Sequence, residues 1–202
     1  MQKISPAIDL TLFKSDAFIK FHNPIRILSI GRLTWVKGYE YLLKTLSILK
    51  KNKINFECHI VGEGNYKEAM IFSIHQLGLA DQVKLKGRLP HHRVKMEMEW
   101  ADIYVQPSIE EGFCNSVLEA QAMGLICIVS DAGGLTENIL NKETGWVVPK
   151  RSSKLFADAI NEVINSDINH LNKISQKAIN RVKKLYNLKD HGGKWCAFYK
   201  DM

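Results

Sequence analysis

Asp102-Ile-Tyr-Val-Gln-Pro-Ser108 and Val117-Leu-Glu-Ala-Gln-Ala-Met-Gly124 stand on either side of Ile109-Glu-Glu-Gly-Phe-Cys-Asn-Ser116. The first run is β-rich and predicts a strand, and the last is rich in helix formers and predicts a helix. Glu111 and Glu119 bracket the junction, with seven residues between them. In an α/β chain this puts two carboxylates at the carboxyl end of a strand and in the first turns of a helix, the crevice where open parallel sheets bind ligands. A structural reading competes. Ser116-Val-Leu-Glu119 has the spacing of a capping box, in which the two side chains satisfy amides at a helix start, and Glu110-Glu111-Gly112 can be a solvated turn.

Outward from this junction the chain alternates strand and helix patterns. Strands are expected at Ile25–Ile30, Phe56–Val61, Val83–Lys86, Ile103–Gln106, Ile126–Val129 and Trp146–Val148. Helices are expected at about Gly38–Lys51, Tyr66–Leu77, His92–Trp100, Val117–Met123, Leu135–Leu140, Lys154–Asn165 and Leu171–Leu185. Short β-rich runs separated by helices predict right-handed crossovers and a Rossmann-like α/β fold, a parallel sheet of about six strands flanked by helices. Residues 1–24 read as an interdomain linker, 25–186 as the domain, and 187–202 as a closing crossover helix interrupted by Gly192-Gly193.

Composition narrows the function classes. The 202 residues are 46% hydrophobic, and no apolar run reaches the roughly 20 residues of a membrane span. Met1-Gln-Lys-Ile-Ser-Pro6 has no signal-peptide core. Cys58, Cys114, Cys127 and Cys196 are scattered, which fits free thiols in a reducing cytoplasm and gives neither a zinc site nor a disulfide framework. The net charge of +7 suits anionic partners such as nucleoside diphosphates or an acidic membrane face touched peripherally; for most of the late lysines a solvated helix face is the simpler reading. No nucleic-acid recognition motif is present.

Several further segments carry chemistry. Gly31-Arg-Leu-Thr-Trp-Val-Lys-Gly38 follows the first strand. It places Arg32 and Lys37 around a strand-to-helix turn, where the helix dipole disfavours a cation unless an anion also binds. Arg offers a planar fork for phosphate oxygens and Lys a mobile charge. On this reading Lys37 is a surface cation whose loss leaves stability almost unchanged. Gly62 and Gly64 end the second strand and permit close backbone approach. Arg88 ends the third, either stacked on a base or simply exposed in its loop. Amides near Cys114, Asn115 and Ser116 can hold sugar or phosphate oxygens at a helix start. His59, His75, His91 and His92 form no motif.

Taken together, Glu111 to Glu119, Gly31 to Gly38, Val61-Gly-Glu-Gly64, Gly133-Gly-Leu-Thr-Glu137 and Gly145-Trp-Val-Val-Pro149 resemble the motifs of the retaining, nucleotide-sugar-dependent glycosyltransferases of group 1, with GT-B architecture. Ile8-Asp9-Leu-Thr-Leu-Phe13 is similar to that family's interdomain connector. Cys114 stands where the family usually has Gly. The resemblance covers nearly the whole chain but only the C-terminal, donor-binding half of such an enzyme. It implies a missing N-terminal acceptor-binding domain, and an isolated half that is inactive alone. It further implies a UDP- or GDP-sugar donor, hexosyl transfer with retention, and no cofactor or metal. Arg32, Lys37 and Glu111 would act on the diphosphate and donor sugar. Glu119 would hold the ribose, with Gly31, Gly62, Gly64, Arg88, Gly112, Phe113, Cys114, Asn115 and Ser116 around them. A non-catalytic nucleotide-sugar binding module, or a GT-B-type epimerase or phosphorylase, would use the same features. A retaining hydrolase would need two carboxyls about 5 Å apart across the scissile bond; the cationic turn argues instead for a charged leaving group.

Overall fold

The computed structural model describes residues 6–15 and 19–190. Six strands form one parallel sheet: β1 (Ile25–Ile30), β2 (Phe56–Val61), β3 (Val83–Gly87), β4 (Ile103–Gln106), β5 (Ile126–Ser130) and β6 (Trp146–Val148). Their order is β3-β2-β1-β4-β5-β6. The register runs Ile27↔Cys58 between β1 and β2, and Ile27↔Ile103 between β1 and β4. The direction of winding reverses between β1 and β4, and the loops after these two strands face each other across that seam, where such sheets bind ligands.

The helices are α1 (Tyr39–Lys51), α2 (Lys67–Gln76), α3 (His91–Trp100), α4 (Asn115–Ala122), α5 (Leu135–Asn138), α6 (Ser153–Ile164) and α7 (Ile168–Leu185). All the strands and helices expected between Ile25 and Leu185 are present. The largest boundary differences are α7, which starts three residues before Leu171, α4, which starts two residues before Val117, and α5, which ends two residues before Leu140.

Pleat alternation sends neighbouring strand residues to opposite faces. Ile27, Cys58, Ile60, Ile103, Val105, Ile126 and Ile128 meet Leu42, Leu46 and Leu49 of α1 together with Phe156, Ile160 and Val163 of α6. Leu28, Tyr104, Cys127 and Val129 face the other way, onto Val94 and Met98 of α3, Val117 and Leu118 of α4 and Val182 of α7. Both faces are therefore apolar and covered, which is why the strands read as continuous hydrophobic runs. Truncating Leu46, which is fully buried, to Ala would cost about 2–5 kcal/mol.

The segment ahead of β1 is docked onto the domain. Ile8 and Phe13 are buried in the second core. Ile8 N donates to Tyr186 O at 2.9 Å, and Leu188 N donates to Ile8 O at 3.0 Å. Further along, Asp102 Oδ2 accepts from the amides of His22 at 3.1 Å and Arg26 at 2.8 Å, which ties this segment to the start of β4. Of the expected crossover helix, 191–202 lie outside the described residues.

Candidate functional site

The loop after β1 is clamped from both sides by backbone. On one side Leu33 N donates to Glu63 O at 2.9 Å, and Gly62 approaches so closely that a Cβ there would lie 1.9 Å from Gly31 O. On the other, Ile109 N donates to Val36 O at 2.7 Å. Gly38 has φ 68°, and a Cβ on it would meet Pro107 O at 2.1 Å, so both backbone shape and space require glycine. These contacts fix Lys37, at the end of a 3-10 turn (Trp35–Lys37) just before α1, opposite the loop after β4.

Lys37 and Glu111 meet across that gap. Lys37 Nζ donates to Glu111 Oε2 at 2.5 Å, with the side chains 19% and 10% exposed. Ser108 Oγ donates to the same oxygen at 3.1 Å, and among the described residues no hydrogen bond reaches Oε1. Lys37 is thus half of a partly buried ion pair. Removing one partner would leave the other desolvated, so the expectation that Lys37 contributes nothing to stability is corrected. Arg32 is exposed beside it and has no ion pair among the described residues. Arg32, Thr34, Trp35, Lys37 and Asn65 line a depression of about 560 Å³, with Trp35 60% exposed.

Glu119 sits in different surroundings. α4 begins at Asn115 with Cys114 as its N-cap and no side-chain cap, so the capping-box reading does not hold. The Ser116 hydroxyl lies 2.8 Å from the Tyr104 hydroxyl and 3.3 Å from Ile30 O instead. Glu119 lines a cleft of about 220 Å³ with Gly31, Gly62, Arg88, Leu89 and His91. Burial raises its carboxyl above the ordinary glutamate value, and nearby His91 offsets part of that. The spacing Ser-x-x-Glu carried no sign that Glu119 belongs to the second turn and faces this cleft.

The other sequence-predicted residues divide. Gly31, Gly62 and Arg88 line the Glu119 cleft, whereas Gly64, Gly112 and Asn115 line neither opening; Arg88 is exposed and pairs with Glu63 at 3.4 Å. The amide of Cys114 donates to Asn138 Oδ1 at 3.3 Å and is not available to a ligand. That leaves Asn115 and Ser116, whose amides have no intrahelical acceptor. The Phe113 ring packs toward Tyr186, centroids 5.7 Å apart, so its side chain serves packing. The Gly133-Gly134 turn supports the carboxylate loop from below: Gly134 N donates to Glu111 O at 2.9 Å. Cys58, Cys114 and Cys127 are free and buried. Among the described residues no His, Cys, Asp and Glu cluster could hold a metal, and no helix is long and apolar enough to cross a membrane.

Sequence reasoning missed Tyr104, Gln106 and Ser108, all fully buried at the seam. The signal was present, since Tyr104 and Gln106 alternate along an otherwise apolar strand and Ser108 continues the alternation just past its end. His91 was also missed as a neighbour of Glu119.

Residues 13–181 match the family described as glycosyl transferases group 1. The chain belongs to this family. Its six-stranded sheet is the C-terminal Rossmann-like domain of the GT-B architecture. The C-terminal domain of a group 1 glycosyl transferase from Francisella tularensis superposes with a TM-score of 0.77 at 25% identity, covering 90% of this chain and 99% of that one. Sucrose-phosphate synthase from Thermosynechococcus elongatus superposes at 0.87 with 22% identity, covering 98% of this chain and 51% of that one. Among curated relatives, the amylovoran biosynthesis glycosyltransferase AmsK of Erwinia amylovora is 34% identical over 67% of this chain and 35% of its own length. The colanic acid biosynthesis glycosyltransferase WcaL of Escherichia coli, so named putatively, is 26% identical over 89% and 46%. The chain thus spans about half or less of the length of these relatives.

Proposed function

We propose that this chain is the donor-binding half of an enzyme that transfers a hexose from a UDP- or GDP-sugar to a saccharide acceptor with retention of anomeric configuration. The observation that carries the reading is the Lys37–Glu111 pair at the β1/β4 seam, beside the uncommitted Arg32. Arg32 and Lys37 would meet the charge that develops on the departing diphosphate, in a site already organised by backbone contacts. The free Oε1 of Glu111 would accept from a donor-sugar hydroxyl, and Glu119, when ionised, from the ribose. With two cations present the chemistry needs no metal.

Support for the donor class comes from structural neighbours, among them the Anabaena protein HepE solved with UDP-glucose, and from a relative named as GDP-mannose-dependent. The names of AmsK and WcaL favour a polysaccharide acceptor. A further domain preceding this one would bind the acceptor, and without it the chain would bind nucleotide but not turn over. The exposed Lys173, Lys177, Lys183 and Lys184 of α7 fit a cytoplasmic protein that touches an anionic membrane face.

The test is calorimetric titration of the chain with UDP, GDP, UMP and GMP. One diphosphate should bind, and its monophosphate should bind at least about tenfold more weakly, as expected on losing charge-assisted hydrogen bonds. Equal or absent binding of each pair would overturn the assignment.

A further inference from the structure

Three polar side chains at and just after the end of β4 are fully buried: Tyr104 and Gln106 on the strand, and Ser108 two residues beyond it. Buried polar groups are costly unless paired, and a connected set is retained only where each member is satisfied. Here the set is connected. Gln106 Nε2 donates to Ser108 Oγ at 2.9 Å, and Ser108 Oγ donates to Glu111 Oε2 at 3.1 Å. Tyr104 OH donates to Gln106 Oε1 at 2.8 Å. The Ser116 hydroxyl stands 2.8 Å from the Tyr104 oxygen.

The direction of this chain follows from which atoms carry protons. The Glu111 carboxylate only accepts, so the single Ser108 proton goes to it. Ser108 must then accept, and only the amide nitrogen of Gln106 can give to it. That fixes the Gln106 amide with its oxygen toward Tyr104. Gln106 Oε1 takes the Tyr104 proton, its one donor among the described residues, and the Ser116 hydroxyl is then left to donate to the Tyr104 oxygen at 2.8 Å or to Ile30 O at 3.3 Å. Reversing the Gln106 amide would face two acceptors at Ser108 and leave the carboxylate without that donor.

We propose that Tyr104, Gln106 and Ser108 are a positioning relay that holds Glu111 by one oxygen, leaves the other without a protein partner among the described residues, and joins it to Ser116 at the start of α4. None of the three touches the reacting atoms. They act through Glu111, and their functional effect rests on the donor-binding reading above. Lys37 draws on the same Oε2, so the ion pair and the relay both leave Oε1 as the accepting atom.

The experiment reads the Gln106 side-chain amide by 15N–1H NMR in the wild-type chain and in Glu111→Gln, with resonances assigned by triple-resonance spectra. Glu111→Gln removes the charge that orients the relay, so the two Gln106 amide resonances should shift, although Gln106 does not touch residue 111. Unmoved resonances would overturn the relay, whether or not any nucleotide binds. In parallel, Gln106→Leu and the milder Tyr104→Phe should weaken whichever of UDP and GDP the wild type binds by about 2- to 10-fold, the range for one lost neutral hydrogen bond. Wild-type affinity in both variants would also overturn it. If the wild-type chain binds neither diphosphate, the donor-binding reading falls, and the Gln106 resonances alone decide the relay.

Discussion

Glu111 and Glu119 lie on one loop-and-helix segment and carry the same side chain, yet their surroundings are opposite. Glu111 is gripped by Lys37 and Ser108. The Glu119 carboxyl has no hydrogen-bond partner among the described residues, and burial pushes it up. The first carboxylate is held in place by an ion pair and a hydroxyl. The second is held desolvated and unpaired, a cost that the proposed ribose contact would lower.

The harshest way to break the contrast is to disturb the floor both share. A Cβ on Gly134 would lie 1.8 Å from Gly112 O, with backbone on both sides and no side chain free to yield. Gly134→Ala should cost about 3 kcal/mol in urea unfolding, at the upper end for overpacking, and should lower diphosphate affinity as the segment shifts. A loss under about 0.5 kcal/mol would show that the loop yields freely.

A narrower cut separates the two residues. Lys37→Met leaves Glu111 half-buried without its cation and should cost about 1–3 kcal/mol. Adding Glu111→Leu should recover most of that, because the orphaned charge goes with it. If the single change leaves the unfolding midpoint where it was, Lys37 returns to being a solvated cation.

The smallest effect has the opposite sign. The raised carboxyl of Glu119 means that the folded chain holds its proton more tightly than the unfolded chain does. Stability therefore falls as pH rises through the raised value, and the penalty is complete above it. Glu119→Gln lacks this penalty, so at pH 8 it should melt slightly above the wild type. The gap should close as pH falls toward the ordinary glutamate value of 4.5. A variant that melts below the wild type at pH 8 would mean that the carboxylate makes favourable contacts in the folded chain.

The fold was legible because the strands are short Val- and Ile-rich runs ended by glycines, as at Ile30-Gly31 and Val61-Gly62, and strand and helix patterns alternate without interruption. The motif loops were legible as loops. What could not be read was which polar atoms meet. Lys37 and Glu111 are 74 positions apart, and no local pattern announces a pair closed by sheet topology. Ser116-x-x-Glu119 matched a local rule that tertiary contacts override: Tyr104 and Ile30 take the serine, and Cys114 serves as the cap. The alternation of Tyr104, Gln106 and Ser108 was visible, but the strand alone does not say that its polar residues converge on a carboxylate.

The strand order has a consequence for how the chain acquires its site. β1, β2 and β3 pair with sequence neighbours, as do β4, β5 and β6, whereas β1 with β4 joins the two groups. Loop-closure entropy opposes that long-range pairing most, and non-local pairings slow folding. Lys37 belongs to the first group and Glu111 to the second, so their ion pair forms only when the groups dock. A chain with either triplet alone would have secondary structure and part of a core but no organised anion site. On the proposed donor-binding reading, nucleotide affinity would accordingly gauge complete assembly and be lost in any partly folded form that keeps its helices.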